Sequence, residues 1–241
     1  KGNQMKTIKH LANTRGAANH GWLKSHHSFS FANYYNPERM SFGVLRVLND
    51  DIVQPKMGFG THPHQNMEII SIPLRGALSH KDNMNNKRSI EVGEVQVMSA
   101  GTGLTHSEFN DSKTEEVNFL QLWIVPEEQN VTPNYEQKLF DVQGRVNKFQ
   151  TLVSPQDNLV EGSLGIHQQA SILTGSFDKG KESSYTINKG KGVYIFLLEG
   201  EIEVSGETLY KRDALGVWDT DSIIIKSQEN SEILLIDVPM I

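Results

Sequence analysis

The chain is 241 residues long, 37% hydrophobic and 22% charged, with a formal net charge of −6. That balance lacks the basic footprint of a nucleic-acid binder, and no run of 18 apolar residues offers a membrane-spanning helix. There is no cysteine, which excludes disulfides, thiolate zinc sites and thiol catalysis.

Absence of cysteine also fits a reducing compartment, and a cytoplasmic location is expected. The four residues before Met5 read as an expression remnant and carry no functional argument. Residues 28–31 (SFSF) alternate as a strand does, Asn36-Pro37 marks a turn, and residues 42–48 suggest a second strand closed by Asn49-Asp50-Asp51. His26 and His27 are adjacent, so a strand would point them to opposite faces as exposed or hydrogen-bonded side chains. Residues 67–74 form a candidate buried strand, and Gly76 permits a turn. His80, Asp82 and the polar run to Arg88 read as a hairpin excursion with ordinary turn residues, or as the rim of a site. Val95 and Val97 resume a period of two.

Residues 119–125 alternate Phe119, Gln121 and Trp123 against Leu120, Leu122 and Ile124. Both faces are apolar, so this strand is expected to be buried on both sides or to line a pocket, with Trp123 in the core. The polar segment 126–133 is the best domain boundary by composition, dividing the chain into 5–133 and 134–241. After it come short strands near 168–173, 185–187, 193–198, 202–204, 223–225 and 233–238, with turn signals between them. Strands this short and evenly spaced predict an all-β barrel or sandwich. The halves also repeat: residues 69–76 resemble 194–200, and 93–98 resemble 212–218. The expected architecture is two related barrels, of which the second has no histidine where the first has its H-x-H. Residues 5–25 are compatible with either barrel.

The densest chemical signal is Thr61-His62-Pro63-His64-Gln65-Asn66-Met67-Glu68, answered by Thr105-His106-Ser107-Glu108. In a strand, i and i+2 share a face, so His62 and His64 point together; Glu68 keeps their phase if the strand runs that far. His106 and Glu108 repeat the pattern. Glycines at 58, 60, 101 and 103 permit tight turns and close backbone approach beside both segments. Facing one barrel interior, three imidazoles and one carboxylate would form a metal site suited to Fe(II), Mn, Ni, Cu or Zn rather than a structural zinc knot. The carboxylate is Glu68 or Glu108.

The segments GFGTHPHQNMEI (58–69), GALSHKD (76–82), VQVMSAGTGLTHSEFN (95–110) and HGWLKSHHSFSFANYYNP (20–37) resemble the pirin family. The bacterial quercetinase-like branch is the most similar, through WIVPEEQNVTPNYEQ (123–137) and HQQASILTGSF (167–177). The resemblance implies a bicupin, two double-stranded β-helix (jelly-roll-like) barrels packed face to face. Only the first barrel would hold a metal, through His62, His64, His106 and Glu108. Glu68, a common ligand position in other cupins, becomes an alternative or supporting residue. The implied ion is Fe(II), with Mn, Ni, Cu, Co or Zn as substitutes. The implied activity is flavonol cleavage by dioxygen, as in quercetin 2,3-dioxygenase, with Glu108 as catalytic base. A second implied role is an iron-dependent, redox-sensitive regulatory protein read by a protein partner.

Overall fold

The structure is a computed structural model that describes residues 4–241; residues 1–3, part of the expected remnant, lie outside the described residues. Short β-branched and aromatic runs between Gly, Asn and Asp turns become strands. In chain order the first twelve are β1 (Lys6–His10), β2 (Gly16–Asn19), β3 (Leu23–His27), β4 (Leu45–Val53), β5 (Gly58–His64), β6 (Glu68–Arg75), β7 (Ala77–Asp82), β8 (Lys87–Glu91), β9 (Glu94–Ser99), β10 (Leu104–Phe109), β11 (Val117–Ile124) and β12 (Asn134–Leu139). The remainder are β13 (Gln150–Pro155), β14 (Leu164–Ile166), β15 (Ser171–Phe177), β16 (Glu182–Thr186), β17 (Lys191–Glu199), β18 (Glu201–Val204), β19 (Glu207–Tyr210), β20 (Ala214–Trp218), β21 (Ser222–Ser227) and β22 (Ser231–Pro239). No helix among the described residues is long and apolar enough to cross a membrane.

Each half of the molecule pairs a seven-stranded sheet with a four-stranded one. The first half has the order β12-β9-β6-β11-β4-β3-β2 facing β5-β10-β7-β8; the second has β1-β20-β17-β22-β15-β13-β14 facing β16-β21-β18-β19. The repeat seen in the sequence is therefore a repeat of topology, with β6 and β9 answered by β17 and β20. The fold is all-β, two cupin barrels. Their seven-stranded sheets pack against each other through a shared core that includes Phe42, Leu120, Leu122, Tyr194, Phe196 and Ile236. The second barrel has its own apolar filling, with Ile195, Ile223 and Ile225. The first has smaller clusters around Leu78, Val117 and Phe119 and around Ile69, Met98 and Leu104. These leave room between them for polar side chains.

Several sequence expectations need correction. Residues 28–30 lie outside any strand; the preceding residues form β3 instead. Asn49-Asp50-Asp51 is not a turn but the middle of β4. Its acids tolerate a buried strand because distant side chains satisfy them: Asp50 Oδ2 accepts from Arg15 at 3.1 Å and Arg212 at 2.9 Å, and Asp50 Oδ1 from Asn118 at 2.9 Å. Two strands pair across the expected division at residue 133. Strand β12 pairs antiparallel with β9 in the first barrel, Asn134 opposite Ser99. Strand β1 pairs with β20 in the second, Lys6 opposite Trp218. The N-terminal segment thus crosses over, whereas β2 and β3 stay with the first barrel. Strands β1 and β12 occupy equivalent places, each supplied by the opposite half of the chain.

Candidate metal centre

The H-x-H segment is the edge strand β5 of the four-stranded sheet. An edge strand tolerates Pro63, whose missing N–H would disrupt a central position. Gly58 is required where β5 meets β10, because a Cβ there would lie 2.3 Å from the Glu108 carbonyl oxygen. At the entrance to β10, Gly101 has φ +50°, and a Cβ would lie 1.9 Å from the Val131 carbonyl. These two glycines allow the close approach that the chemistry needs. The register then places His106 directly opposite His62, with a bulge between His106 and Glu108.

His106 Nε2 lies 2.8 Å from His62 Nε2 and 2.9 Å from His64 Nε2. The three imidazoles form the one group of metal-ligating side chains of this kind among the described residues. His62 Nδ1 donates to the Gly60 carbonyl at 2.7 Å, which leaves the Nε2 lone pair free for a cation. Burial, then the neighbouring His62, pushes His64 down to about 4; burial, then His62 and His64, pushes His106 down to about 2. At neutral pH both rings are uncharged donors of lone pairs. Three imidazole nitrogens face one another, and the donor set fits a divalent transition ion.

Glu108 lies beside this group, its Oε1 3.4 Å from His106 Nε2. Burial raises its pKa, against the Gln121 amide and the His62 charge, which lower it. Gln121 Nε2 reaches both carboxyl oxygens at 3.1 Å, and Gln121 Oε1 accepts from Trp123 Nε1 at 3.1 Å. Alternation alone puts Gln121 and Trp123 on one face of β11 but gives neither a role at the site. Trp123 is a pocket wall rather than core: its ring stands edge-on to His64 at 5.1 Å and to Phe31 at 5.5 Å.

Glu68 is elsewhere. The strand breaks after His64, Asn66 turns the backbone through φ +46°, and the phase argument fails there. Glu68 instead accepts the His167 N–H at 2.6 Å, a tie to the second half of the chain. His80 and Asp82 are not ordinary turn residues. Both side chains are fully buried on β7, with His80 Nε2 2.7 Å from Asp82 Oδ2. The His80 ring lies 5.4 Å from that of His106 and 4.6 Å from that of Tyr135. Burial opposes the Asp82 charge, but hydrogen bonds from His80, Asn86 and the Met84 N–H outweigh it and hold the carboxyl below its usual range.

The imidazoles open on a cavity of about 300 Å³ walled by Leu23, Phe31, Phe59, Phe119 and Trp123. Its opposite wall is polar. Ser25 hydrogen-bonds to Asp51, and His27 Nδ1 lies 2.8 Å from Asn49 Oδ1. Burial pushes Asp51 up to about 7 despite its bond from Ser25. In the second barrel the strands equivalent to β5 and β10 carry Tyr185, Ile223 and Ile225, whose side chains fill the interior.

Two cupin barrels back to back, with three imidazoles and a carboxyl gathered in one of them, define a bicupin. Residues 9–124 match the Pirin family model and residues 151–238 the quercetinase C-terminal cupin domain. The chain is 45% identical over 229 residues to quercetin 2,3-dioxygenase of Escherichia coli K12, covering 95% of this chain and 96% of that one. It is 40% identical to a pirin-like protein of Caulobacter vibrioides, covering 92% and 95%. The crystal structure of bacterial pirin YhhW from Escherichia coli in complex with nickel(II) superposes with a TM-score of 0.92 at 42% identity, covering 98% of this chain and 100% of that one. The chain belongs to the pirin family.

Proposed function

We propose that the protein is a metal-dependent dioxygenase that cleaves flavonols such as quercetin. The observation that carries this reading is the meeting of three imidazole Nε2 atoms and the Glu108 carboxyl at the end of an aromatic-walled cavity. His62, His64, His106 and Glu108 would hold one divalent ion, Fe(II) in the working enzyme. The nickel(II) complex of the Escherichia coli relative supports a divalent ion in this setting. When bound, the ion supplies Lewis acidity that lowers the pKa of the flavonol 3-hydroxyl.

The remaining work falls to side chains. Glu108 accepts the hydroxyl proton at a carboxyl oxygen. The Gln121 amide, itself oriented by Trp123, keeps that carboxyl aimed at the imidazoles. Phe31, Phe59 and Trp123 clasp the aromatic rings and exclude water. In the balanced reaction one flavonol and one dioxygen give a ring-opened ester and one carbon monoxide.

The test is oxygen uptake by anaerobically iron-loaded protein on adding quercetin, with carbon monoxide trapped in parallel and His62→Ala as control. Metal-dependent uptake with carbon monoxide release is expected, and none from the control. A flat trace from fully loaded protein would refute the reading in favour of the iron-dependent regulatory protein.

A further inference from the structure

A second and larger cavity, about 670 Å³, lies between the two barrels and shares no lining residue with the first. The alternation of β4 separates them: Asp50 faces the space between the barrels and Asp51 the interior of the first barrel. The floor is apolar and drawn from both halves, with Ile72 and Leu120 from the first and Leu152, Leu198 and Leu234 from the second.

One side of the cavity is cationic. Arg15 and Arg212 converge on a single carboxylate oxygen of Asp50, and all three side chains are largely buried. Lys211 pairs with Glu199 at 3.0 Å, and Arg212 reaches the same carboxylate only at 3.9 Å. Three cations thus share two carboxylates. A further cation, Arg145, donates to the Gln150 amide oxygen and has no carboxylate within ion-pair distance among the described residues. The other charged lining groups are Arg75, neutralised by Glu116, and the carboxylates Glu94 and Glu232, hydrogen-bonded to Gln137 and Ser176.

One detail of Arg212 points to a missing partner: its Nε is buried with no hydrogen-bond acceptor among the described residues, a costly state for a charged donor. An apolar floor beside a part-buried cationic wall is complementary to a ligand with an apolar body and one acidic group.

We propose that this inter-barrel cavity is a binding site for a small amphipathic organic anion, its acidic group received by Arg212 with Arg15 and Lys211 and its apolar body resting on the leucine floor. The ligand would touch both barrels and would not compete with a substrate at the imidazoles.

The probe is 8-anilinonaphthalene-1-sulfonate, titrated by fluorescence into full-length, metal-loaded protein, with the uncharged N-phenyl-1-naphthylamine in parallel. We expect one saturable site for the sulfonate that quercetin does not displace, and at least roughly tenfold weaker binding of the neutral analogue. Arg212→Met should weaken sulfonate binding by about tenfold, since Arg15 still neutralises Asp50 and the fold survives. Lys211→Glu alters an exposed side chain that cannot unfold the protein; it should weaken binding by a few-fold and flatten its salt dependence. Unchanged affinity in both variants, equal binding of the neutral analogue, displacement by quercetin, or no saturable binding would each overturn the proposal.

Discussion

Replacing Glu108 by Gln separates the two tasks proposed for this side chain. The volume is conserved, so the buried site should not collapse. What changes is the chemistry at two atoms. Gln121 Nε2 now bonds to both Glu108 oxygens at 3.1 Å; in the variant one of those atoms becomes an NH₂ and can no longer accept. One hydrogen bond to a charged group disappears, worth about 1.5–3 kcal/mol, and with it the carboxylate proposed as the base. A positioned general base contributes roughly 10²–10⁴ in rate, so kcat under metal saturation should fall by about 10³, or about 4 kcal/mol of barrier. The assay is oxygen uptake with quercetin at increasing iron, with bound metal measured on the same samples. Weaker metal binding with kcat recovering fully at saturation would show that Glu108 only holds the ion. Wild-type metal content together with wild-type kcat would refute both assignments.

Asp50→Asn should destabilise the protein by about 3 kcal/mol, because two largely buried guanidiniums lose their shared counter-charge. At this chain length that corresponds to a fall of roughly 6–12 °C in Tm, read by calorimetry; a change within about 0.5 kcal/mol, the usual range for a surface substitution, would contradict the burial argument. Asp51→Asn tests a pH dependence. Burial raises the folded-state pKa of Asp51 to about 7, above its unfolded value. The folded protein therefore holds this proton more tightly, and Asp51 costs stability progressively as pH rises from about 4 to about 7. The variant should be flatter than wild type across that window in denaturant titrations, and parallel curves would sink the assignment.

The imidazole triad was legible because its signal is local. Period-two alternation fixes which way His62, His64, His106 and Glu108 point, and the glycines beside them announce close backbone approach. What was not legible depended on partners far away in the chain. Asn49-Asp50-Asp51 has the composition of a turn, and distant partners such as Arg15, Arg212, Asn118, Ser25 and His27 make it a strand interior. Gln121 and Trp123 stood on the right face of β11, but nothing in their spacing says that the amide ends on Glu108. Glu68 lost its phase through one left-handed residue, Asn66, a kink that alternation alone does not register. His80 and Asp82 looked like turn residues because polar residues follow them; the pair is buried by the cross-strand neighbours of β7.

The exchange of β1 and β12 sets an order of events during synthesis. Strand β1 leaves the ribosome before the other described strands, yet its partner β20 begins only at Ala214. The first barrel can close its sheet as soon as β12 emerges, while β1 must wait unpaired through the making of almost the entire second half. Its short length and the lysines Lys6 and Lys9 guard a bare strand against pairing with another chain. Fragments cut at the polar loop 126–133 would each lack an edge strand, so the first barrel cannot be prepared intact by stopping the gene there. A usable first half must run at least to Leu139, and a usable second half must carry a copy of β1.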